Sequence, residues 1–206
     1  MAKVGGQNQP VAPRILVVQH GDKERTAGDP GLTDIGRTRA QVTAEWLSSA
    51  QQVTRVVTSP MRRAVETARP IAEALGLDVT TDDRLRERMN WEGEEQTLDE
   101  FLAEWCRASE DRSFVPQRGD SSERAADRFL AALKELAETG DEGDVAVVAH
   151  GGVTVDAIRT ALGDKPLLAQ QPALIDDGVP PCAITVFRHN EGEWVVELPS
   201  TQHLLA

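Results

Sequence analysis

Val145-Ala146-Val147-Val148-Ala149-His150-Gly151-Gly152 is the stretch that decides the fold. Its apolar residues run without a polar break and stop at a His-Gly pair, which reads as a buried strand. Far upstream, Arg14-Ile15-Leu16-Val17-Val18-Gln19 stops in the same way, at His20-Gly21. Working outward, Thr33 is placed to cap a helix running to about Ser49. Arg55 to Thr58 reads as a strand. Ser59-Pro60 then suits the first turn of a helix to about Leu75, closed by Gly76. Leu77 to Thr81 is a further strand, Thr97 to Ser109 a helix, and Ser121 or Ser122 caps a long helix to about Glu138. A helix follows Gly151 to Leu162. Ala183 to Arg188 and Trp194 to Leu198 flank Asn190-Glu191-Gly192, a hairpin signal. Strands that alternate with helices predict an α/β fold with a mostly parallel central sheet and antiparallel edges at the end.

The chain has 206 residues, with no internal repeat and no low-complexity linker. One domain over 14–206 is expected, preceded by a mobile tail, 1–13, that lacks the apolar segment of a signal peptide. The charged, irregular stretch 84–120 is the expected insertion, a small cap. Asp and Glu number 34 against 22 Lys and Arg, a net charge of −12. So acidic a protein has no general attraction for nucleic acid or an anionic membrane. An anionic substrate would need a local cluster of cations. Cys106 and Cys182 stand apart from any Cys-x-x-Cys or Cys/His spacing, so reduced thiols in a cytoplasmic protein are expected, without a zinc site.

Ligands of open α/β sheets bind beyond the carboxyl ends of the strands. Two His-Gly pairs at strand ends therefore place His20 and His150 in one crevice, provided their strands are neighbours. Glycine after each histidine permits close backbone approach and leaves N–H donors for an oxyanion. Ser59-Pro60-Met61-Arg62-Arg63-Ala64-Val65-Glu66-Thr67-Ala68 also follows a strand and opens a helix, a place suited to phosphate. Between Arg55 and Arg69 four arginines meet only Glu66, a cationic island in an acidic protein. His189 and His203 read as structural.

Together these segments resemble the histidine phosphatase superfamily, in its phosphoglycerate-mutase-like branch. The matching motifs stand in family order: Gln19-His20-Gly21, Leu32-Thr33-Asp34-Ile35-Gly36, Ser59 to Ala68, Leu85-Arg86-Glu87 and Ala149-His150-Gly151. Trp91-Glu92-Gly93 and Gly119-Asp120-Ser121 also look like the family's intermediate segments. The resemblance implies a three-layer α/β/α sandwich. It also implies a phosphatase that hydrolyses a small phosphomonoester through a phosphohistidine, with no cofactor and no metal. His20 would be the nucleophile, His150 and Arg63 would hold the phosphoryl oxygens, and Glu87 would act as acid and then base. Some relatives place an Asp directly after the late histidine. Gly151 stands there in this chain, which moves the acid–base role to Glu87. Gln19, Gly21, Lys23, Arg25, Thr33 and Gly151 complete the expected substrate-binding set. A homodimer is compatible with the resemblance, and no nucleic-acid or membrane partner is expected.

The chain departs from the family pattern at one telling position. Gln19 stands where the family carries the Arg of Arg-His-Gly. A neutral amide gives about half the strength of a charge-assisted bond to phosphate. Either Lys23 or Arg25 replaces the missing charge, or the protein binds a phospholigand with little turnover. A mutase is the third reading. It is disfavoured by the short loop from His20 to Leu32 and by Pro180-Pro181-Cys182, which stands where the family carries an Asn. Finally, Glu92 to Asp111 holds eight acids against Arg107. This reads as a solvated helix face, or as a cap over the mouth that disfavours highly anionic substrates.

Overall fold

A computed structural model describes residues 13–139 and 143–205. The expected tail, 1–13, lies outside the described residues except for Pro13, as does most of the turn between Thr139 and Gly143. Six strands form one sheet: β1 (Ile15–Gln19), β2 (Val53–Thr58), β3 (Val79–Thr81), β4 (Asp144–Ala149), β5 (Ile184–Asn190) and β6 (Glu193–Ser200). Their spatial order is β3-β2-β4-β1-β5-β6. The first four run parallel, and β5 and β6 join antiparallel at one side. The two apolar runs that end in histidine are indeed neighbours, with Gln19 opposite Ala149.

Side chains alternate across a strand, and here the alternation builds two cores. Ile15, Val17, Val145 and Val147 face one way. They meet Phe129 and Leu133 of α4 (Ser122–Glu138) and Val153 and Ile158 of α5 (Gly151–Leu162). Leu16, Val18, Ala146 and Val148 face the other way. They meet Ala44 and Leu47 of α1 (Asp34–Ala50) and Ala64, Ala68 and Ile71 of α2 (Arg62–Leu75). The result is a three-layer α/β/α sandwich. Each fully buried Val or Leu in it contributes roughly 1.5–3 kcal/mol relative to exposure.

Local signals set the ends of the elements. Thr33 caps α1 by accepting the Gly36 N–H. Thr97 and Glu100 form a capping box for α3 (Leu98–Glu110), and Ser121, not Ser122, caps α4. Gly76 closes α2 in the left-handed region, at φ 67. Pro60 is a correction: it precedes the helix, whose N-cap is Met61. Two short helices were not anticipated, α6 (Asp164–Gln170) and α7 (Leu174–Asp177). The hairpin turn has Glu191 and Gly192 at φ 49 and 90, the left-handed pair that a two-residue connection requires.

The loop after β1 lies hard against the start of α1. A Cβ on Gly36 would sit 2.2 Å from the Asp22 carbonyl oxygen, so only glycine fits there. Among the described residues no helix is long and apolar enough to cross a membrane.

Candidate active site

The parallel pairing of β1 with β4 brings the two histidines together at the carboxyl edge of the sheet. Their ring centroids are 5.2 Å apart. His20 is oriented by its own loop, since its Nδ1 donates to the Gly21 carbonyl oxygen at 2.7 Å. That bond fixes the tautomer and leaves Nε2 as the unprotonated, accepting nitrogen. Nε2 faces Nε of Arg63 at 3.2 Å and the Gln19 side-chain amide nitrogen at 3.3 Å. Burial, then the Arg63 guanidinium, lowers the His20 pKa to about 3, against the opposing pull of the Gly21 bond. The imidazole is therefore neutral over the physiological range.

His150 is fully buried, and its pKa is pushed well below the usual value by burial, then by His20 and Arg63. Its Nε2 is 2.8 Å from the Ser59 hydroxyl. Ser59 comes from the end of β2, so three adjacent strand ends supply His20, Ser59 and His150. Three buried polar atoms here have no hydrogen-bond partner: Nδ1 of His150, Nη1 of Arg63 and Oε1 of Gln19. Asp29 lies 3.7 Å from that Arg63 nitrogen.

Glu87 is not a solvated charge. Its carboxylate accepts the N–H groups of Gly152 and Val153 in the first turn of α5, at 3.0 and 2.8 Å, and that of Arg88 at 2.9 Å. A helix N-terminus favours an anion there. A Cβ on Gly152 would lie 2.7 Å from that carboxylate and 2.6 Å from the Trp105 ring, so any side chain there would displace one of them. From α4, Arg128 donates to the carbonyls of Arg84, Arg86 and Glu87 and so holds the loop in place. Beneath it, Arg88 forms a buried pair with Asp156 at 2.9 Å and lies 4.0 Å over the Trp105 ring.

A cavity of about 390 Å³ opens from His20, Arg63 and Glu87 toward α3, with Lys23, Arg25, Asn90, Trp91 and Trp105 among its walls. A smaller one, about 260 Å³, includes Gln19, Gly151, Gly152, Asp176 and Asp177. Lys23 lines both cavities and is half-buried, whereas exposed Arg25 lines only the larger. Burial, then Arg63 and Arg25, lowers the Lys23 pKa, the signature of cations crowded at one point.

Not every expected site residue reaches this place. Thr33 is absent from both linings, because its hydroxyl serves the α1 cap and donates to the Asp22 carbonyl oxygen. Gly21 offers no spare N–H, since that group donates to Thr67 Oγ1 at 3.0 Å. The cationic island divides as well. Arg63 points into the site, but Arg62 is exposed and pairs with Glu66, and Arg69 lines a separate depression with Arg37. Arg55 donates to the Leu136 carbonyl oxygen instead. The sequence reading missed Ser59 as the partner of His150. It also missed Asn90, whose side-chain oxygen accepts from Arg63, and the apolar wall of α3. The wall had a legible signal, the helical spacing of Leu98, Phe101, Leu102 and Trp105.

Residues 15–201 match the model of the histidine phosphatase superfamily (branch 1). A glucosyl-3-phosphoglycerate phosphatase of Mycobacterium tuberculosis is 34% identical over 182 residues, which is 79% of this chain and 80% of that protein. Phosphoglycerate mutase-like protein 4 of Arabidopsis thaliana is 31% identical over 201 residues, covering 89% of this chain and 83% of its own length. Among solved structures, a mycobacterial glucosyl-3-phosphoglycerate phosphatase in complex with inorganic phosphate superposes with a TM-score of 0.72. It is 28% identical, covering 91% of this chain and 96% of its own.

Proposed function

The chain belongs to the histidine phosphatase superfamily, branch 1, and from that premise we propose that it hydrolyses small phosphomonoesters through a phosphohistidine on His20. The observation that carries this reading is the state of His20. It is neutral, pinned through Nδ1, and presents Nε2 beside a buried arginine.

In the first step Nε2 attacks phosphorus in line with the ester oxygen. The N–P bond forms, the P–O bond breaks, and the alcohol leaves with a proton from Glu87. In the second step Glu87 takes a proton from water, the hydroxyl attacks phosphorus, and inorganic phosphate is released with neutral His20 restored. Arg63 and His150 stabilise the equatorial oxygens. Ser59 accepts the Met61 N–H and gives its own proton to Nε2 of His150. His150 then carries its proton on Nδ1, an unspent donor for a phosphoryl oxygen.

Lys23, and not Arg25, replaces the cation that Gln19 lacks. Half-buried Lys23 lines both cavities, as His20 does. Gln19 contributes a neutral amide beside Nε2. Segment 84–120 acts as the cap, with α3 as its wall. The two free cysteines and the acidic surface fit a cytoplasmic enzyme without nucleic-acid or membrane partners.

A panel of phosphomonoesters assayed with wild type and His20→Ala tests the proposal. Phosphate release is expected from wild type and not from the variant, and equal release from both would overturn it. Isomerised phosphoglycerate in place of free phosphate would indicate a mutase.

A further inference from the structure

The two cavities that meet at His20 differ in chemistry. The larger one is closed on its far side by α3. Leu98, Phe101, Leu102 and Trp105 fall at the spacing of one helix face, and all four line the cavity. Such a stripe ordinarily faces a hydrophobic core. In α3 the stripe faces the cavity, and only Ala108 of that helix is buried. Leu98 and Leu102 are left 45% and 47% exposed. Two acids of the segment are engaged away from the stripe: Glu95 pairs with Arg118, and Glu104 accepts from Gln96 and the Gln117 N–H.

Several polar atoms of this wall are already used within the protein. The Trp91 indole N–H donates to the Gln96 carbonyl oxygen at 2.9 Å. The Asn90 amide is occupied by Arg63, the Gly28 carbonyl and Glu92. Trp105 is held flat by the Arg88 guanidinium over its ring. Along the α3 stripe the hydroxyls of a polyol would give up water and meet mostly apolar side chains, whereas an apolar chain would remove the leucines and indoles from water.

We propose that the leaving group is selected by this wall, and that the preferred substrates are phosphomonoesters of apolar alcohols, alkyl or aryl, rather than of polyols. The inference rests on the phosphatase reading above and adds the substrate class to it. The phosphoryl end stays with His20, Arg63 and Lys23, and the carbon chain lies along α3.

The experiment compares kcat/KM for n-hexyl phosphate, glycerol 1-phosphate and 3-phosphoglycerate. All three esters release an unactivated alcohol, so differences report the wall and not leaving-group acidity. Hexyl phosphate is expected to lead by about tenfold or more. The double substitution Leu98→Gln with Leu102→Gln, at half-exposed positions, is expected to cut that ratio by about tenfold. Preference for glycerol 1-phosphate or 3-phosphoglycerate, or a ratio indifferent to the double substitution, would overturn this inference while the hydrolase reading stood. Hydrolysis of none of the three would remove the hydrolase reading, and this inference with it.

Discussion

Replacing Lys23 by Met keeps most of the aliphatic stem and removes the charge. If the ammonium has taken over from the cation missing at Gln19, the loss falls on the transition state, where phosphoryl charge is spread over the equatorial oxygens. A preorganised donor in a water-poor site supplies about 2–4 kcal/mol. Lys23 is half-buried, and partial screening by solvent argues for the lower part of that range, about 2–3 kcal/mol. The expected fall in kcat/KM is then about 30- to 160-fold. Exposed Arg25 touches only the larger cavity, so Arg25→Ala is expected to cost about threefold or less. Adding Gln19→Arg to Lys23→Met returns a charged fork to the phosphoryl group and is expected to restore about tenfold. The assay is initial-rate hydrolysis of p-nitrophenyl phosphate and an alkyl phosphate, with thermal melts to show that each variant is folded. A Lys23→Met enzyme within about threefold of wild type, or an Arg25→Ala enzyme more impaired than Lys23→Met, would refute the reasoning.

Glu87→Gln is expected to lower kcat/KM for an alkyl phosphate by about 100-fold or more. For p-nitrophenyl phosphate, whose leaving group needs little protonation, the loss should stay below about tenfold. Equal losses on both esters would remove Glu87 as the acid. The His20 pKa, about 3 in the folded protein against an ordinary 6.5, links stability to pH. Between those values the unfolded chain holds the extra proton. His20 therefore contributes stability that is present above pH 6.5 and lost as pH falls toward 3. Denaturant unfolding of wild type and His20→Asn at about pH 7.5 and about pH 5 should show their difference shrinking by about 2 kcal/mol at the lower pH. A difference that does not change with pH would contradict the buried, neutral imidazole. Gly36→Ala drives a methyl into the Asp22 carbonyl. It is expected to cost about 1–3 kcal/mol of stability in a denaturant melt and to lower activity by displacing the loop that carries Lys23.

Much of the architecture was legible because the signals were local. An apolar run ending in His-Gly sets both the strand and the place where it stops, and Thr33, Thr97, Ser121 and Gly76 mark helix ends by their own hydrogen-bonding chemistry. Pro60 misled because proline suits a turn before a helix as well as the first turn within it. The short helices α6 and α7 carry too few residues for a periodic pattern. That His20, His150 and Glu87 share one site was also within reach. The partners that hold them were not, because each contact joins elements far apart in the chain: Ser59 to His150, Arg128 to the Glu87 loop, Arg88 to Asp156. The run from Arg55 to Arg69 failed for a related reason. Neighbours along a strand and a helix point to different faces, and only Arg63 of the four arginines faces the site.

The account stands or falls on covalent chemistry at Nε2 of His20. Rapid mixing of the enzyme with a phosphomonoester labelled in its phosphoryl group, followed by denaturing quench, measures it directly. Label should appear on the protein, stable in alkali and labile in acid, map to the peptide containing His20, and be absent from His20→Asn. Sustained hydrolysis by wild type with no labelled protein at any time, or undiminished label on His20→Asn, would contradict the account.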